Sequence, residues 1–326
     1  MKLATLKNGS KDGSLHIVSR DLCFAVSAND IAPTLQYALE NWHQVEGPLT
    51  DRFEALQKGS LVDAFAFDHN QALAPLPRAW QWLDGSAFDC HGELMDKVFG
   101  MKPMDRQGRP LMYQGVSNKF YAPTEAALFT TEDEFIDFEG EFGVIVDETP
   151  MGIGAVDAAQ HIRLVVQIND WSLRKLAPIE MKTGFGWVQA KPPCAMAPVA
   201  VTPDELGENW RNSRVALDLQ VKWNDKQFGA ANGEPMSCGF NELVEHAAHS
   251  RTLVAGTVIG SGTVSNANYR EIGSSCIAER RGIELMDEGE AKTGFMKFGD
   301  TVHMEVFDPS GQSVFGAIKQ EVIKAK

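Results

Sequence analysis

The sequence has few cysteines for its length, and those it has are widely scattered. Five cysteines occur in 326 residues, at Cys23, Cys90, Cys194, Cys238 and Cys276. Small secreted proteins that depend on disulfides have dense, evenly numbered cysteines instead. The odd number and wide spacing therefore predict free thiols in a reduced, cytoplasmic compartment.

Long apolar runs are also missing. No stretch approaches the ~18 consecutive apolar residues that a membrane-spanning helix needs. The first twenty residues, MKLATLKNGSKDGSLHIVSR, contain no apolar segment typical of a secretion signal. We expect a cytoplasmic protein with no membrane contact and no targeting segment.

Basic clusters are scarce as well. The chain carries 30 lysines and arginines against 44 aspartates and glutamates, a formal net charge of −14. The densest basic pair, Arg280 and Arg281, is flanked by Glu279 and Glu284. Because binding to phosphate backbones needs a basic patch, a nucleic-acid partner is not expected.

Several familiar catalytic motifs do not occur. The sequence contains no H-E-x-x-H, C-x-x-C or G-x-S-x-G. His91-Gly92-Glu93 begins like a zinc deaminase motif, but the second cysteine of P-C-x-x-C is replaced by Ala197. Gly152 and Gly154 lack the third glycine of a dinucleotide loop, since position 157 is Asp. Zinc proteases, zinc deaminases, α/β-hydrolases and Rossmann enzymes thereby lose their main support.

The composition is that of a globular protein with ample core material. At 326 residues and 44% apolar content, one large domain or two unequal domains are expected. The rigid connector Leu73-Ala74-Pro75-Leu76-Pro77 marks the boundary. We predict a small N-terminal α/β domain over 1–75 and a larger domain over 76–326. The whole chain is predicted to be α+β and rich in β-strands.

Periodicity gives the local elements. Residues 14–27 predict two short strands around a turn, and a helix follows whose first turn contains Pro33. A second helical pattern covers 50–58. Val215 to Trp223 alternate apolar and polar residues, which predicts a strand ending in the turn Asn224-Asp225. Residues 240–249 have a helical pattern.

An acidic alternation stands in Ile136-Asp137-Phe138-Glu139-Gly140-Glu141-Phe142. In an extended chain, Asp137, Glu139 and Glu141 point to one face, and the apolar residues point to the other. Three carboxylates about 7 Å apart along a strand repel one another. Two interpretations stay open: a solvated strand edge, or a shared divalent cation held by oxygen ligands.

Other polar residues lie at strand ends and in turns. Asp170 ends the apolar strand LVVQIND, Arg174 follows it, and Lys191 precedes two prolines. His91 suits either a structural role or proton transfer. The segment 250–263 packs glycines around a short strand, where glycine allows either a simple turn or close backbone approach to a ligand. Taken singly, each of these features favours a structural role.

Together these features follow the order of a known family. The E-x-E strand at Glu139 and Glu141, the segment N-D-W-S-x-R ending at Arg174, Lys191 before proline, and the glycine-containing block 250–263 resemble the fumarylacetoacetate hydrolase family. Tyr113-Gln114-Gly115 is similar to its G-Y-x-G loop. The resemblance covers about 76–320 and implies a fumarylacetoacetate-hydrolase-like mixed β-roll as the catalytic domain. Residues 1–70 are similar to the short N-terminal domain of some bacterial members.

The resemblance implies a metal centre. Glu139, Glu141 and Asp170 would be carboxylate ligands of one divalent cation, with Asp84 as a fourth ligand as in the longer hydrolases. Asp137 falls outside the family's pair. Ligation by oxygen alone favours Mg²⁺, with Mn²⁺ or Ca²⁺ as alternatives, over zinc.

The resemblance also implies catalytic and substrate-binding roles. His91 matches the general base, Lys191 the group that stabilises a developing enolate, and Glu279 the glutamate paired with the histidine. Tyr113 and Thr263 would contact substrate oxygens, and Arg174 a substrate carboxylate. A reference pKa near 6.5 suits histidine to proton transfer at neutral pH.

The expected function is metal-dependent hydrolysis of a carbon–carbon bond in a 1,3-dicarbonyl acid such as fumarylacetoacetate or an acylpyruvate, in the catabolism of aromatic compounds. One alternative keeps the metal–enolate site for decarboxylation, hydration or isomerisation of 2-keto acids. Another is a non-catalytic protein that binds metal or dicarboxylate. We expect a small keto or diketo acid as the binding partner, and a homodimer.

Overall fold

A computed structural model describes residues 1–99 and 107–326. β-Strands make up most of the regular structure. In chain order they are β1 Lys2–Leu6, β2 Ser14–Val18, β3 Phe24–Ser27, β4 Phe65–Ala66, β5 Trp82–Gly85, β6 Met112–Gly115, β7 Ala127–Phe129, β8 Ile136–Asp137, β9 Gly140–Val146, β10 Ile162–Asn169, β11 Ser172–Leu173, β12 Ala195–Met196, β13 Val199–Val201, β14 Trp210–Arg211, β15 Arg214–Val215, β16 Asp218–Trp223, β17 Lys226–Asn232, β18 Thr257–Gly260, β19 Thr301–Val306 and β20 Ile318–Lys324.

The α-helices are shorter and are placed around the sheets. They are α1 Leu35–Glu40, α2 Trp42–Gln57, α3 Asp89–Phe99, α4 Ala155–Ala158, α5 Ala177–Met181, α6 Phe240–Ala248, α7 Tyr269–Ile272 and α8 Ile277–Glu288. Short 3₁₀ helices cover His69–Gln71, Glu132–Glu134, Ala159–His161 and Pro203–Asn209. No helix in the described ranges is both long and apolar enough to span a membrane.

The largest sheet contains strands from both sides of the predicted domain boundary. Its strand order is β4-β3-β2-β1-β13-β10-β9-β18-β5-β6, with β12 paired to β10. Strand β1 pairs with β13 in antiparallel register, Leu3 opposite Ala200, so the N-terminal strands extend the sheet of the larger part. The division at residues 75 and 76 therefore stays a prediction, because the hydrogen-bonded sheet runs across it.

The central strands are buried on both faces. On β9, Phe142 and Val144 belong to one hydrophobic core, while Ile145 belongs to a second. The second core includes α1 and α2, and the first includes the five-stranded sheet β17-β16-β19-β20-β7. Strands buried on both faces read as continuous apolar runs, as GVIV of β9 does. The mixed, β-rich α+β architecture is as predicted.

Several local predictions are confirmed and others shift. Strands β2 and β3 fill 14–27 as expected, and β16 ends in Asn224-Asp225, both with positive φ (49° and 59°) as a tight hairpin turn requires. The second helix begins at Trp42 rather than near residue 50. Pro33 lies before the helix instead of in its first turn, because Thr34 is the N-cap and accepts the Tyr37 amide.

Helices α3 and α8 were not predicted from the sequence. The first begins at Asp89 and contains His91, and the second follows the N-cap Cys276 and contains Glu279. Cysteine is an unusual N-cap, so the start of α8 carried no standard signal. Both helices pack together, and this contact brings two predicted site residues near each other.

Candidate active site

Four adjacent strands position a group of acidic side chains. The order β10-β9-β18-β5 sets Ile168 opposite Glu141, and Gly260 opposite Asp84. Asp170 follows directly after β10. Ligand oxygens of Asp84, Glu141 and Asp170 lie within 4.8 Å of one another, and all three residues are buried. The structure thus brings three of the four predicted carboxylate ligands into one cluster, called here the carboxylate cluster.

Glu141 is the member of this cluster without compensation. Both of its carboxylate oxygens are buried and have no hydrogen-bond partner among the described residues. Burial, and then the neighbouring charges of Asp84 and Asp170, raise the pKa of Glu141 well above its ordinary value. An unpaired buried carboxylate is costly unless a cation or proton neutralises it. The solvated-edge interpretation of the acidic alternation is therefore wrong.

Glu139, in contrast to Glu141, has hydrogen-bond and cationic partners at both of its carboxylate oxygens. Its Oε2 accepts a hydrogen bond from Lys191 Nζ (2.7 Å), and its Oε1 accepts one from Ser172 Oγ (3.0 Å) and lies 2.6 Å from Arg174. Burial alone would raise the pKa of Glu139, but Arg174 and Lys191 hold it well below its ordinary value. Glu139 is therefore an ionised, neutralised carboxylate beside the cluster.

Lys191 connects Glu139 to the carboxylate cluster. Its Nζ also donates to Asp170 Oδ2 at 2.5 Å. Burial would lower the pKa of this ammonium group, but Asp170 and Glu139 raise it above the usual range. The Nζ lies 5.7 Å from the ring centroid of Tyr113 and 5.9 Å from that of Trp187, within cation–π distance. Asp170 and Glu139 thus favour the charged form of Lys191 at the centre of the site.

Asp170 accepts hydrogen bonds from neighbouring side chains at both of its carboxylate oxygens. Tyr113 O–H donates to Oδ2 at 2.8 Å, and the Cys194 thiol donates to Oδ1 at 2.9 Å. Tyr113 is placed there by β6, where it pairs with Asp84 of β5. Tyr113 was predicted to contact substrate, and no sequence motif marked Cys194 as a site residue. In the structure both side chains orient a predicted metal ligand.

Arg174 and Asp137 form a structural ion pair. Arg174 Nε lies 2.7 Å from Asp137 Oδ2, and Asp137 also accepts the backbone amides of Ile277 (2.7 Å) and Ala278 (2.9 Å). Asp137 therefore caps the N-terminus of α8, where a negative charge is favourable. The guanidinium group predicted to bind a substrate carboxylate is held by two carboxylates of the protein, Asp137 and Glu139.

Glycines close the other side of the cluster. A Cβ atom on Gly260 would lie 2.3 Å from Asp84 Oδ1 and 2.4 Å from the Trp82 ring. Gly262, at φ +78°, donates its amide to Asp84 Oδ1 at 3.2 Å. The glycine block of the sequence thus allows β18 and its following turn to approach Asp84. Thr263, predicted to contact substrate, is buried next to Gly262.

His91 and Glu279 meet where α3 and α8 pack. His91 Nδ1 lies 3.9 Å from Glu279 Oε1, whose side chain is fully buried. Ser265 Oγ donates to the same oxygen, Oε1. The separation of His91 and Glu279 exceeds a hydrogen bond, although such contacts often tighten only when substrate binds. The predicted pair is close in space despite lying 188 residues apart in the chain.

Charge and donor chemistry test whether a cation fits. Five buried carboxyl groups, those of Asp84, Asp137, Glu139, Glu141 and Asp170, share two cationic side chains, Lys191 and Arg174. Among the described residues, the carboxylate cluster offers only oxygen donors, which hard divalent cations prefer. The unpartnered oxygens of Glu141 supply free ligand positions. The residues therefore fit a divalent cation.

Fold and site together define a β-rich protein whose central strands hold a buried group of carboxylates next to a histidine–glutamate pair. The fumarylacetoacetate (FAA) hydrolase C-terminal family model matches residues 81–323, and the fumarylacetoacetase N-terminal domain 2 model matches residues 1–78. The chain belongs to the fumarylacetoacetate hydrolase family, as its sequence motifs predicted.

Curated relatives are distant and match in part. Oxaloacetate tautomerase YisK of Bacillus subtilis (strain 168) is 29% identical over 130 residues, 40% of this chain and 41% of that protein. A 2,4-didehydro-3-deoxy-L-rhamnonate hydrolase of Sphingomonas sp. (strain SKA58) is 24% identical over 157 residues, 47% of this chain and 52% of that protein. The chain thus spans about half the length of these relatives.

Solved structures share the fold across the whole chain. Maleylpyruvate hydrolase from Sphingobium sp. SYK-6, in complex with manganese (II) ion and pyruvate, aligns over 100% of both chains with a TM-score of 0.67 and 15% identity. A 5-carboxymethyl-2-hydroxymuconate delta-isomerase from Mycobacterium smegmatis aligns over 100% of both chains with a TM-score of 0.61 and 17% identity. At these identities the likeness establishes the fold.

Proposed function

We propose that this chain is a divalent-cation-dependent enzyme that hydrolyses a carbon–carbon bond in a 1,3-dicarbonyl acid. The observation that carries the proposal is that a carboxylate cluster with the unpartnered Glu141 and a histidine–glutamate pair lie on either side of Glu139. Lys191 joins Glu139 to Asp170 of the cluster. The Glu139 backbone pairs with that of Cys276, whose sulfur lies within 4.8 Å of the ligand atoms of the histidine–glutamate pair. The carboxylate cluster fits a cation, and the histidine–glutamate pair fits a base that activates water. Magnesium as the cation, a cytoplasmic homodimer and a role in aromatic catabolism remain predictions within this proposal.

The metal would be held by the carboxylate cluster. Asp84, Glu141 and Asp170 would be its ligands, and Glu139 is joined to them through Lys191. When bound, a divalent cation supplies a Lewis acid that polarises substrate oxygens. Tyr113 and Cys194 keep Asp170 oriented through their hydrogen bonds. Support of ligands by such neighbours typically contributes tenfold or more to affinity.

His91 would act as the general base. It removes a proton from water as the water oxygen bonds to a substrate carbonyl carbon, and Glu279 stabilises the imidazolium that forms. The carbon–carbon bond then breaks, and its electron pair remains on the leaving fragment as an enolate. The positive charge of Lys191 stabilises that enolate. The proton on His91 returns to the leaving carbon, so the products are two carbonyl or carboxylic acids.

The distance between His91 and Glu279 favours a second reaction. At 3.9 Å, His91 and Glu279 are not hydrogen-bonded, so a strongly activated water is not required by the geometry. The same base and lysine could move a proton within a 2-keto acid, giving tautomerisation or isomerisation, or stabilise the enolate left by decarboxylation. The similarity to an oxaloacetate tautomerase and to an isomerase supports keeping this alternative.

A product-resolved activity screen tests the proposal. Purified protein would be incubated with fumarylacetoacetate, acylpyruvates, oxaloacetate and 2-keto-enoates, each with Mg²⁺, Mn²⁺ or EDTA. His91→Ala would be paired with His249→Ala, which changes an exposed histidine. Glu141→Gln would be paired with Glu321→Gln on the exposed side of β20.

The products decide between the reactions. Cation-dependent formation of two acids, lost in His91→Ala and Glu141→Gln and kept in both controls, is the expected result. Release of CO₂, or an isomer of unchanged mass, would replace hydrolysis by the second reaction. Turnover that persists in EDTA and in Glu141→Gln would contradict the cation-dependent mechanism.

A further inference from the structure

Cys276 lies beside the histidine–glutamate pair, and the proposed reaction does not use it. The residue is fully buried and is the N-cap of helix α8, where its Sγ accepts the Glu279 backbone amide at 3.3 Å. Burial, and then the negative charge of Asp137, raise the pKa of the Cys276 thiol well above its ordinary value. A cation that binds this sulfur must therefore displace the thiol proton, and the N-cap hydrogen bond holds the sulfur at a fixed position.

Cys276, His91 and Glu279 form a compact cluster of unlike donors. One ligand atom from each lies within 4.8 Å of the other two. His91 Nδ1 and Glu279 Oε2 are buried and have no hydrogen-bond partner among the described residues. Since buried polar atoms normally have partners, these two atoms are available to bind a ligand or ion.

The donor set is that of zinc. Zinc binds histidine nitrogen, cysteine sulfur and carboxylate oxygen at about 2.0–2.3 Å in a tetrahedron, which sets its ligands roughly 3.3–3.8 Å apart. His91 Nδ1 and Glu279 Oε1 are 3.9 Å apart, so only small side-chain movements are needed. The carboxylate cluster differs in this respect, because its oxygen donors suit hard cations.

We propose that His91, Cys276 and Glu279 form a second metal site, selective for zinc, and that Zn²⁺ bound there inhibits the enzyme. Zinc binding replaces the thiol proton of Cys276, which is released to water, by a zinc–sulfur bond. His91 donates its lone pair to the ion and is no longer free to accept a proton. The binding does not depend on the proposed function, whereas the inhibition rests on His91 acting as the base.

Access to the site is through the histidine. The His91 side chain is 17% exposed, whereas that of Glu279 is 0% exposed. A metal ion can therefore reach His91 first and then engage the two buried donors. Three protein ligands, His91 from α3, Glu279 from α8 and the N-cap Cys276, leave a fourth position for water, as in zinc sites that are not fully closed.

Binding can be measured without any substrate. Co²⁺ is a spectroscopic substitute for zinc, and its thiolate complexes absorb in the near ultraviolet. The intact protein, saturated with Mg²⁺, would be titrated with Co²⁺ and then with Zn²⁺. We expect a thiolate band that Zn²⁺ abolishes. Cys276→Ser retains an N-cap oxygen and should lose the band, whereas the matched control Cys238→Ser should keep it.

Affinity and inhibition provide the second measurement. Zn²⁺ affinity, determined by competition with a chelating indicator, should fall at least about tenfold in Cys276→Ser and in His91→Ala. Zinc inhibition, expressed relative to the zinc-free activity of the same variant, should weaken in Cys276→Ser by the same factor. His91→Ala serves as the second binding variant if Cys276→Ser does not fold.

Three results would overturn all or part of this proposal, and a fourth would overturn the proposed reaction. A thiolate band that persists in Cys276→Ser, or equal Zn²⁺ affinity in all variants, would show that these residues do not bind zinc. Zinc that inhibits wild type and Cys276→Ser equally would place its inhibitory action elsewhere. Zinc binding that depends on Cys276 in a protein without turnover would keep the metal site and remove the proposed reaction instead.

Discussion

Glu139 and Glu141 are two residues apart in one acidic motif and are both buried, yet their side chains have different partners. Glu139 contacts Lys191, Arg174 and Ser172, and its pKa is lowered. Glu141 lies among carboxylates with no hydrogen-bond partner in the described part of the chain, and its pKa is raised. One motif thus supplies a carboxylate neutralised by Lys191 and Arg174 and a second carboxylate without a hydrogen-bond partner among the described residues.

Removing the neutralised carboxylate should have the largest effect on folding. Glu139→Gln leaves Lys191 and Arg174 with fewer negative partners in a buried setting. Breaking one side of a buried ion pair costs about 3–5 kcal/mol. We expect the free energy of unfolding, from urea titration in EDTA, to fall by about that amount. A loss as small as that of the exposed Glu321→Gln control would show that the pairing contributes little.

Substitution of Gly260, the glycine beside Asp84, should have the second-largest effect on stability. In Gly260→Ala the added Cβ would meet Asp84 Oδ1 at 2.3 Å, so the strand or the carboxylate must move. Overpacking of this kind costs about 1–3 kcal/mol. We also expect weaker cation binding, because Asp84 leaves its position in the cluster. Calorimetric titration with Mn²⁺ would check this, and unchanged affinity would indicate that Asp84 is not a ligand.

Removing the uncompensated carboxylate of Glu141 should raise the free energy of unfolding, whereas the two preceding substitutions lower it. Glu141→Gln preserves shape and removes a negative charge that repels Asp84 and Asp170. In EDTA the free energy of unfolding should rise by at least about 1 kcal/mol. With saturating cation the order should reverse, since only the wild type gains from binding. Destabilisation of the variant in EDTA would contradict the account.

The stability of wild type and of Glu141→Gln should also depend differently on pH. A carboxyl group whose folded pKa exceeds its unfolded value of 4.5 binds its proton more tightly in the native state. Stability then falls as pH rises from the unfolded pKa to the folded pKa. In EDTA, the stability advantage of Glu141→Gln over wild type should therefore grow as pH is raised above 4.5 and then level off. An advantage that is constant with pH would argue against this explanation.

A surface ion pair should show the smallest effect. Arg270 and Asp287 form a two-point contact at 2.7–2.8 Å, but solvent surrounds both side chains. Exposed pairs contribute little because water and salt screen them. We expect Arg270→Gln to leave the melting temperature unchanged within error. A drop comparable to that of Glu139→Gln would show that burial is not what distinguishes the two pairs.

Much of the site could be predicted from the sequence because its motifs are local. The E-x-E strand, Asp170 after its apolar strand and the glycine block each carry a recognisable pattern. The sequence could not show which lysine or arginine side chain pairs with each carboxylate. Arg174 was assigned to substrate, and only the tertiary contacts reveal that it pairs with Asp137 and Glu139.

Long-range packing also explains the elements that were missed. Helix α8 starts after the N-cap Cys276, which accepts one amide of the first turn. Two further amides of that turn donate to Asp137, which lies 139 positions before Cys276 in the chain. No local pattern signals such a cap. In the same way, β1 pairs with β13 across the predicted domain boundary, because its hydrogen-bonding partner is specified by the folded sheet rather than by neighbouring sequence.

The most direct test of the account is a calorimetric titration of Mn²⁺ into wild-type protein and Glu141→Gln under identical conditions. We predict one Mn²⁺ ion bound at the carboxylate cluster of each wild-type chain and a loss of affinity of about 100-fold in the variant. Glu139→Gln, compared at the same time, should lose less. Equal Mn²⁺ binding by wild type and Glu141→Gln would contradict the claim that the uncompensated carboxylate cluster is the metal site.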